Sequence, residues 1–325
     1  MPTLTLLANP RASGFTGGLH RDVVAVLKQR YNVDAYWPTS REDAIRYARQ
    51  AVADGVDIMA PMGGDGIVHH IGNVVAGSQS ALAIIPAGTT NVIADILQIP
   101  TKPLDAANYL LTSEHARPMA TLRLTMDGIG QHVLFATGMG LDAEIVELAE
   151  RQPGRKIHFG WAHYGTTAFS VLWRQYRHRL PTMRVSSDNN AVDAVAVLVQ
   201  VHWPYTYAGK LPLSLAGHAP DGMHVAAFEK LSVREISSVG ARALLGIQLA
   251  NAAGTHVFSD VHRVTIHAEP AVLVQADGEL LGNASNIEIE HMAEGLMVHA
   301  PLQDPTPQPV RVKKSLRSAL RRRRA

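Results

Sequence analysis

The chain has 325 residues, 46% of them hydrophobic and 18% charged, and it contains no cysteine. That apolar content supplies packed cores, which excludes a wholly disordered chain, and the length favours two ordinary domains over one. The lack of cysteine excludes a disulfide scaffold, a thiolate metal site and a cysteine nucleophile, and it fits a reducing cytoplasm. Residues 1–20 break after a short apolar run with no basic start, so they do not read as a signal peptide. No stretch approaches the roughly 18 apolar residues of a membrane-spanning helix. A cytoplasmic protein, soluble or peripherally associated with a membrane, is expected.

The first hundred residues alternate short apolar runs with helical segments. Leu4–Ala8 reads as a strand ending in Asn9-Pro10, followed by a helix over Gly18–Arg30. Val33–Trp37 is a second strand, and Ser40 is placed to cap a helix through Ala53. Asp57–Pro61 is a third strand, closed by Gly63-Gly64-Asp65-Gly66 and a helix. Ala81–Ile85 is a fourth, closed by Gly88-Thr89-Thr90-Asn91 and another helix. This order predicts a parallel α/β sheet whose polar turns meet at the carboxyl ends of the strands, where such sheets bind ligands.

After about residue 118 the pattern becomes one of short alternating strands. They read as Thr121–Met126, His132–Thr137, Thr182–Ser186, Ala194–His202, Met223–Phe228, His256–Ser259, Val261–Ala268, Ala271–Ala276, Asn286–His291 and Leu296–Ala300. Helical interruptions fall around Ile157–Tyr176 and Val233–Leu249. The expectation is an α/β domain over 1–118, a β-rich antiparallel sandwich over 119–302, and a Pro-containing linker with a basic tail over 303–325. The net charge of +2 conceals eight basic residues and no acid within Arg311–Arg324, so the rest of the chain is acidic. Such a tail suits an anionic membrane surface, at roughly 1 kcal/mol per basic residue. Nucleic-acid binding through the tail and a merely solubilising role are its competitors, and no nucleic-acid partner is expected.

Glycines in the turn at 63–66 let backbone amides approach phosphate oxygens at the start of a helix. A carboxylate there would repel phosphate, so Asp65 makes sense if it handles a magnesium ion or takes a proton from an attacking hydroxyl. The adjacent His69 and His70 project about 100° apart on a helix, which makes them poor co-ligands for a metal. The motifs Asn-Pro-Arg-Ala-Ser-Gly (9–14), Gly-Gly-Asp-Gly (63–66), Pro-Ala-Gly-Thr-Thr-Asn (86–91), Gly-Met-Gly-Leu-Asp-Ala (138–143), Asp-Gly (221–222) and Asp-Gly-Glu (277–279) occur in that order. As a set they resemble the diacylglycerol kinase catalytic-domain family, which includes bacterial lipid kinases and the sphingosine and ceramide kinases.

The resemblance implies ATP-dependent transfer of the γ-phosphoryl group to the hydroxyl of a diacylglycerol, sphingoid base or ceramide-like lipid, with Mg2+. It implies nucleotide contacts at Asn9, Ser13, Gly14, Thr39, Gly63, Gly64, Gly66, His69, Thr89 and Asn91. Asp65, Asp277 and Glu279 become the catalytic set, with Asp65 and Asp277 organising magnesium and either Asp65 or Glu279 as general base. The lipid slot is assigned to the aromatic stretch holding Phe159, Trp161, Tyr164 and Trp173. Ile67, His70 and Val92 depart from the family's usual residues, and His69 points toward a sphingoid-like acceptor. Two alternatives stay open: a catalytically weak or inactive nucleotide- or lipid-binding regulator, and a kinase of a soluble acceptor such as NAD.

Overall fold

The computed structural model describes residues 1–151, 175–176, 178–187, 190–203, 205–208, 211–213, 221–232, 235 and 254–301. Its first half runs β1 (Thr3–Ala8), α1 (Gly17–Leu27), β2 (Asn32–Tyr36), α2 (Arg41–Ala53), β3 (Ile58–Gly63), α3 (Asp65–Val75), β4 (Ala81–Leu82), β5 (Ile85–Pro86), α4 (Val92–Ile96) and α5 (Pro103–Thr112). Strands β2, β1 and β3 pair in parallel, with Leu6 opposite both Ala35 and Ala60. β4 and β5, two pieces of the expected fourth strand, both pair with β3.

Local chemistry sets the helix starts. Thr16 accepts from the Leu19 amide at 3.1 Å and Ser40 from the Asp43 amide at 3.2 Å, each satisfying a donor left over at a helix start. The helix α5 was not anticipated. It opens with Pro103 in its first turn, a position where the missing amide costs nothing.

The second half runs β6 (Arg117–Met126), β7 (Ile129–Val133), β8 (Ala136–Met139), α6 (Leu141–Glu150), β9 (Met183–Ser187), β10 (Asn190–Ala194), β11 (Ala196–Gln200), β12 (Thr206–Ala208), β13 (Leu211–Leu213), β14 (Met223–Phe228), β15 (Thr255–Val261), β16 (Arg263–Ala276) and β17 (Glu279–Val298). The expected strand 132–137 is two strands, and several expected short strands merge into β16 and β17. The breaks read from the sequence fall at register shifts, between His267 and Val272 in β16 and between Met292 and Leu296 in β17.

The pairing of the halves differs from the expected separate sandwich. A single 15-stranded mixed sheet joins them, in the order β15-β14-β11-β8-β16-β17-β4-β3-β1-β2 along its main path. The cause is β17, which pairs antiparallel with β16 and β6 and then runs beside β4, Val298 in parallel register with Leu82. Two buried clusters cover this sheet. One centres on Leu4, Met59, Ile71 and Ile93, and the other on Leu124, Val197, Val225 and Ile289. Most of both expected helical interruptions, the aromatic stretch at 159–173 and the tail beyond 301 lie outside the described residues. Among those described, no helix is long and apolar enough to cross a membrane.

Candidate active site

Three turns converge where the parallel strands end. The Asn9 amide donates to Met62 at 2.9 Å, and the Ala87 and Gly88 amides donate to the Gly63 carbonyl at 2.8 and 3.1 Å. The Gly14 amide donates to the Ala87 carbonyl at 2.9 Å, and a Cβ on Gly14 would lie 3.0 Å from that same oxygen, so the turn closes only without a side chain there. Ser13 and Thr89, 76 positions apart, bring their hydroxyls within 3.0 Å. Asn9, Ser13, Gly14, Gly63, Gly64 and Thr89 thus share one edge, with the Ser13 and Thr89 hydroxyls exposed. Thr39 stands beyond β2 at the same edge, where its hydroxyl donates to Asp43 in the first turn of α2.

Asp65 opens α3, and its Oδ1 accepts from the Ile93 amide at 3.1 Å, so it caps α4 across the gap between two of the turns. Burial raises its carboxyl above the usual range, with the charges of Asp277 and Asp95 pushing the same way and the Val92 and Ile93 amides opposing. Glu279 approaches from the other half of the sheet. A Cβ on Gly66 would lie 2.5 Å from its Oε1, which places the carboxylate directly against the glycine-rich turn. Two further side chains face it: Arg41 Nη1 at 3.9 Å and His70 Nε2 at 3.7 Å from Oε2. Burial, then the charges of His69 and Arg41, push His70 down to about 4. It therefore meets Glu279 as a neutral ring at neutral pH.

Three expected contacts go elsewhere. Asp277 was assigned to magnesium, yet its side chain is fully buried and already supplied with donors. Oδ2 takes the Leu134 amide at 2.8 Å and His69 Nδ1 at 2.7 Å, and Oδ1 takes the Phe135 and Ala136 amides at 2.9 and 3.2 Å. Those amides are available because the chain breaks between β7 and β8, which is why the single strand expected there is two. His69, assigned to nucleotide, is 3% exposed and spends its ring on Asp277. Asn91, also assigned to nucleotide, adopts a left-handed backbone with φ 53°. Its amide clamps Gly88 in both directions, at 3.0 and 2.9 Å. All three are polar side chains whose partners tertiary structure supplies.

The Asp277-Gly278 turn is braced from a second side by residues that had no assigned role. Gln275 Oε1 accepts from the Gly278 amide at 2.9 Å, while its Nε2 donates to Asp142 Oδ2 at 2.5 Å. Tyr205 donates to the same Asp142 oxygen at 2.5 Å. Burial raises Asp142 and holds the Tyr205 hydroxyl protonated. Arg41 was missed because a lone arginine beside a helix cap reads as a solvated face. Phe159, Trp161, Tyr164 and Trp173, the expected lipid slot, lie outside the described residues.

Asp65 and Asp277 do not fit a resident magnesium shell. Asp277 has four donors on its two oxygens, Asp65 caps α4, and among the described residues no three His, Asp or Glu side chains converge on a point. The donors that remain are hydroxyls, amides and Arg41, a set suited to phosphate oxygens.

Residues 3–124 match the family model for the diacylglycerol kinase catalytic domain. The "Probable lipid kinase YegS-like" protein of Xanthomonas campestris pv. campestris (strain 8004) is 31% identical over 161 residues, 47% of this chain and 51% of that protein. The match therefore spans about half the length of that curated relative. A "Diacylglycerol kinase" of Mycobacterium tuberculosis (strain ATCC 25618 / H37Rv) is 28% identical over 285 residues, 85% of this chain and 88% of that protein. A crystal structure of a diacylglycerol kinase from Bacillus anthracis str. Sterne shares the fold, with a TM-score of 0.67 at 19% identity over 92% of this chain and 97% of that one. The glycine-rich turn thus lies within the stretch, residues 3–124, that matches the diacylglycerol kinase catalytic-domain model, and over 285 residues the chain is similar to a protein named diacylglycerol kinase.

Proposed function

We propose that the protein is a phosphotransferase that moves the γ-phosphoryl group of ATP onto a lipid hydroxyl, with Glu279 as the general base. The observation that carries this reading is the placement of the Glu279 carboxylate against Gly66, at the mouth of the phosphate-binding turn. An acceptor hydroxyl held there gives its proton to Glu279 as its oxygen attacks the γ-phosphorus. The bond to the β-phosphate oxygen breaks, and ADP leaves with the electron pair. Most of the acceleration in such a transfer comes from positioning and charge stabilisation, with the base contributing the smaller share. The first amides of α3, the Ser13–Thr89 hydroxyl pair and the Arg41 guanidinium supply the stabilising donors. Asp65, with one oxygen spent on α4, holds the Gly88–Asn91 turn against the glycine-rich turn.

Diacylglycerol is the acceptor we assign, since that is the lipid in the name of the matching family model and of the mycobacterial relative. The likeness to sphingosine kinases at Ile67 and His69 weighs less in this reading, because His69 is buried against Asp277. The basic residues of 311–324 hold the enzyme at an anionic surface, where its acceptor resides. The test is transfer of label from [γ-32P]ATP, with magnesium, to mixed micelles containing diacylglycerol, sphingosine or ceramide in turn. Labelled phosphatidic acid is the expected product. ATP binding without any labelled lipid would overturn the reading and leave a nucleotide-binding regulator.

A further inference from the structure

We propose that His69 is a positioning residue for phosphoryl transfer, acting through Asp277 to hold Glu279 opposite Gly66; this rests on the kinase reading above. Helix α3 carries both halves of the arrangement. Its first turn presents Asp65 and Gly66 to the nucleotide edge, and one turn later His69 grips Asp277 at 2.7 Å, with both side chains buried. Asp277 and Gly278 have φ of 51° and 85°, a left-handed pair that turns the chain sharply so that Glu279 emerges facing back toward α3. The three amides from residues 134–136 and the Ala136 carbonyl, which accepts from the Asp277 amide at 2.8 Å, fix this turn to β8. Those bonds bind it to its own half of the sheet. The His69 bond is the one that ties Asp277 to α3.

His69 is itself anchored. Asn73, one turn further along α3, donates to the His69 carbonyl at 3.1 Å and lies 3.5 Å from its Nε2. The same amide exchanges bonds with the His132 backbone at 2.9 and 2.7 Å. The ring is thus held with Nδ1 toward Asp277, donating to a carboxylate that three backbone amides keep fixed. Loss of this bond leaves the turn folded on β8 but removes the strut that sets its distance from the glycine-rich turn. An error of about 1 Å between reacting groups is enough to cost on the order of 100-fold in rate.

The experiment compares wild type, His69→Leu and His69→Asn for kcat, KM for ATP, melting temperature and hydrogen exchange of the segment 277–281. Asparagine places an N–H near the position of Nδ1, whereas leucine fills the space without a donor. The expected result for His69→Leu is a kcat at least tenfold lower per folded molecule, KM for ATP within threefold of wild type, and faster exchange at 277–281. His69→Asn recovers most of kcat. Wild-type kcat in His69→Leu, or no recovery by His69→Asn, overturns the positioning role. A loss that tracks only the folded fraction overturns it as well, in favour of a structural role. A wild-type protein that labels no lipid overturns the kinase reading instead, and the positioning proposal with it.

Discussion

Replacing Gly66 with alanine tests the contact on which the mechanism turns. The added methyl would sit 2.5 Å from Glu279 Oε1 and 3.5 Å from its carboxyl carbon, whereas ordinary contact begins near 3.4 Å. The carboxylate must therefore retreat by roughly 1 Å, and at the end of a flexible side chain it does so without unfolding anything. Alanine is up to about 1 kcal/mol better than glycine within a helix, so α3 is no less stable. The prediction separates stability from rate. Melting temperature holds or rises, ATP affinity stays within about threefold, and kcat falls about 100-fold, equivalent to roughly 2.7 kcal/mol of transition-state stabilisation. Micelle kinetics beside isothermal titration of ATP decides it. A Gly66→Ala enzyme with undiminished kcat would refute the reasoning, since Glu279 could then have no reaction to lose by moving.

Three other outcomes are expected. His70 is held near 4 in the folded protein against about 6.5 unfolded, so the unfolded chain takes up a proton that the fold refuses. Its contribution is complete above pH 6.5 and is lost as pH falls toward 4, by at most roughly 3 kcal/mol, and His70→Gln flattens that part of the urea-midpoint profile. Asn91→Ala removes two bonds to Gly88 and strains a left-handed residue, costing about 2 kcal/mol by denaturant titration; Asn91→Gly, which relieves the strain, costs less. Tyr205→Phe takes a donor from the buried Asp142 and lowers stability by about 1–3 kcal/mol in the same assay.

The parallel half was legible because its signals are local. The cap at Ser40, glycine-rich strand ends and apolar periods place β1 through α3 within a few residues of their positions. The turns at Asn9, Gly63 and Gly88 could be gathered to one edge because parallel strands leave no other arrangement. What the sequence hid is long-range. The break between β7 and β8 leaves amides free to serve Asp277, some 140 positions away. His69 is 208 positions from the carboxylate that claims its ring. Polar residues in a motif read alike whether they face a ligand or a buried partner, which is how Asp277, His69 and Asn91 came to be assigned outward. The long strands β16 and β17 looked like shorter ones because bulges interrupt the alternation that marks a strand.

The most direct test of the account is the kcat for diacylglycerol phosphorylation in Glu279→Gln, measured with ATP affinity beside Asp65→Asn. Glutamine keeps the shape of the side chain against Gly66 and removes its ability to take a proton. The account predicts a fall of about 10²–10⁴ in kcat with ATP binding intact. For Asp65→Asn, whose carboxylate caps α4, it predicts weakened ATP binding together with a smaller loss of kcat. A Glu279→Gln enzyme that turns over at the wild-type rate would contradict the assignment of Glu279 as the base.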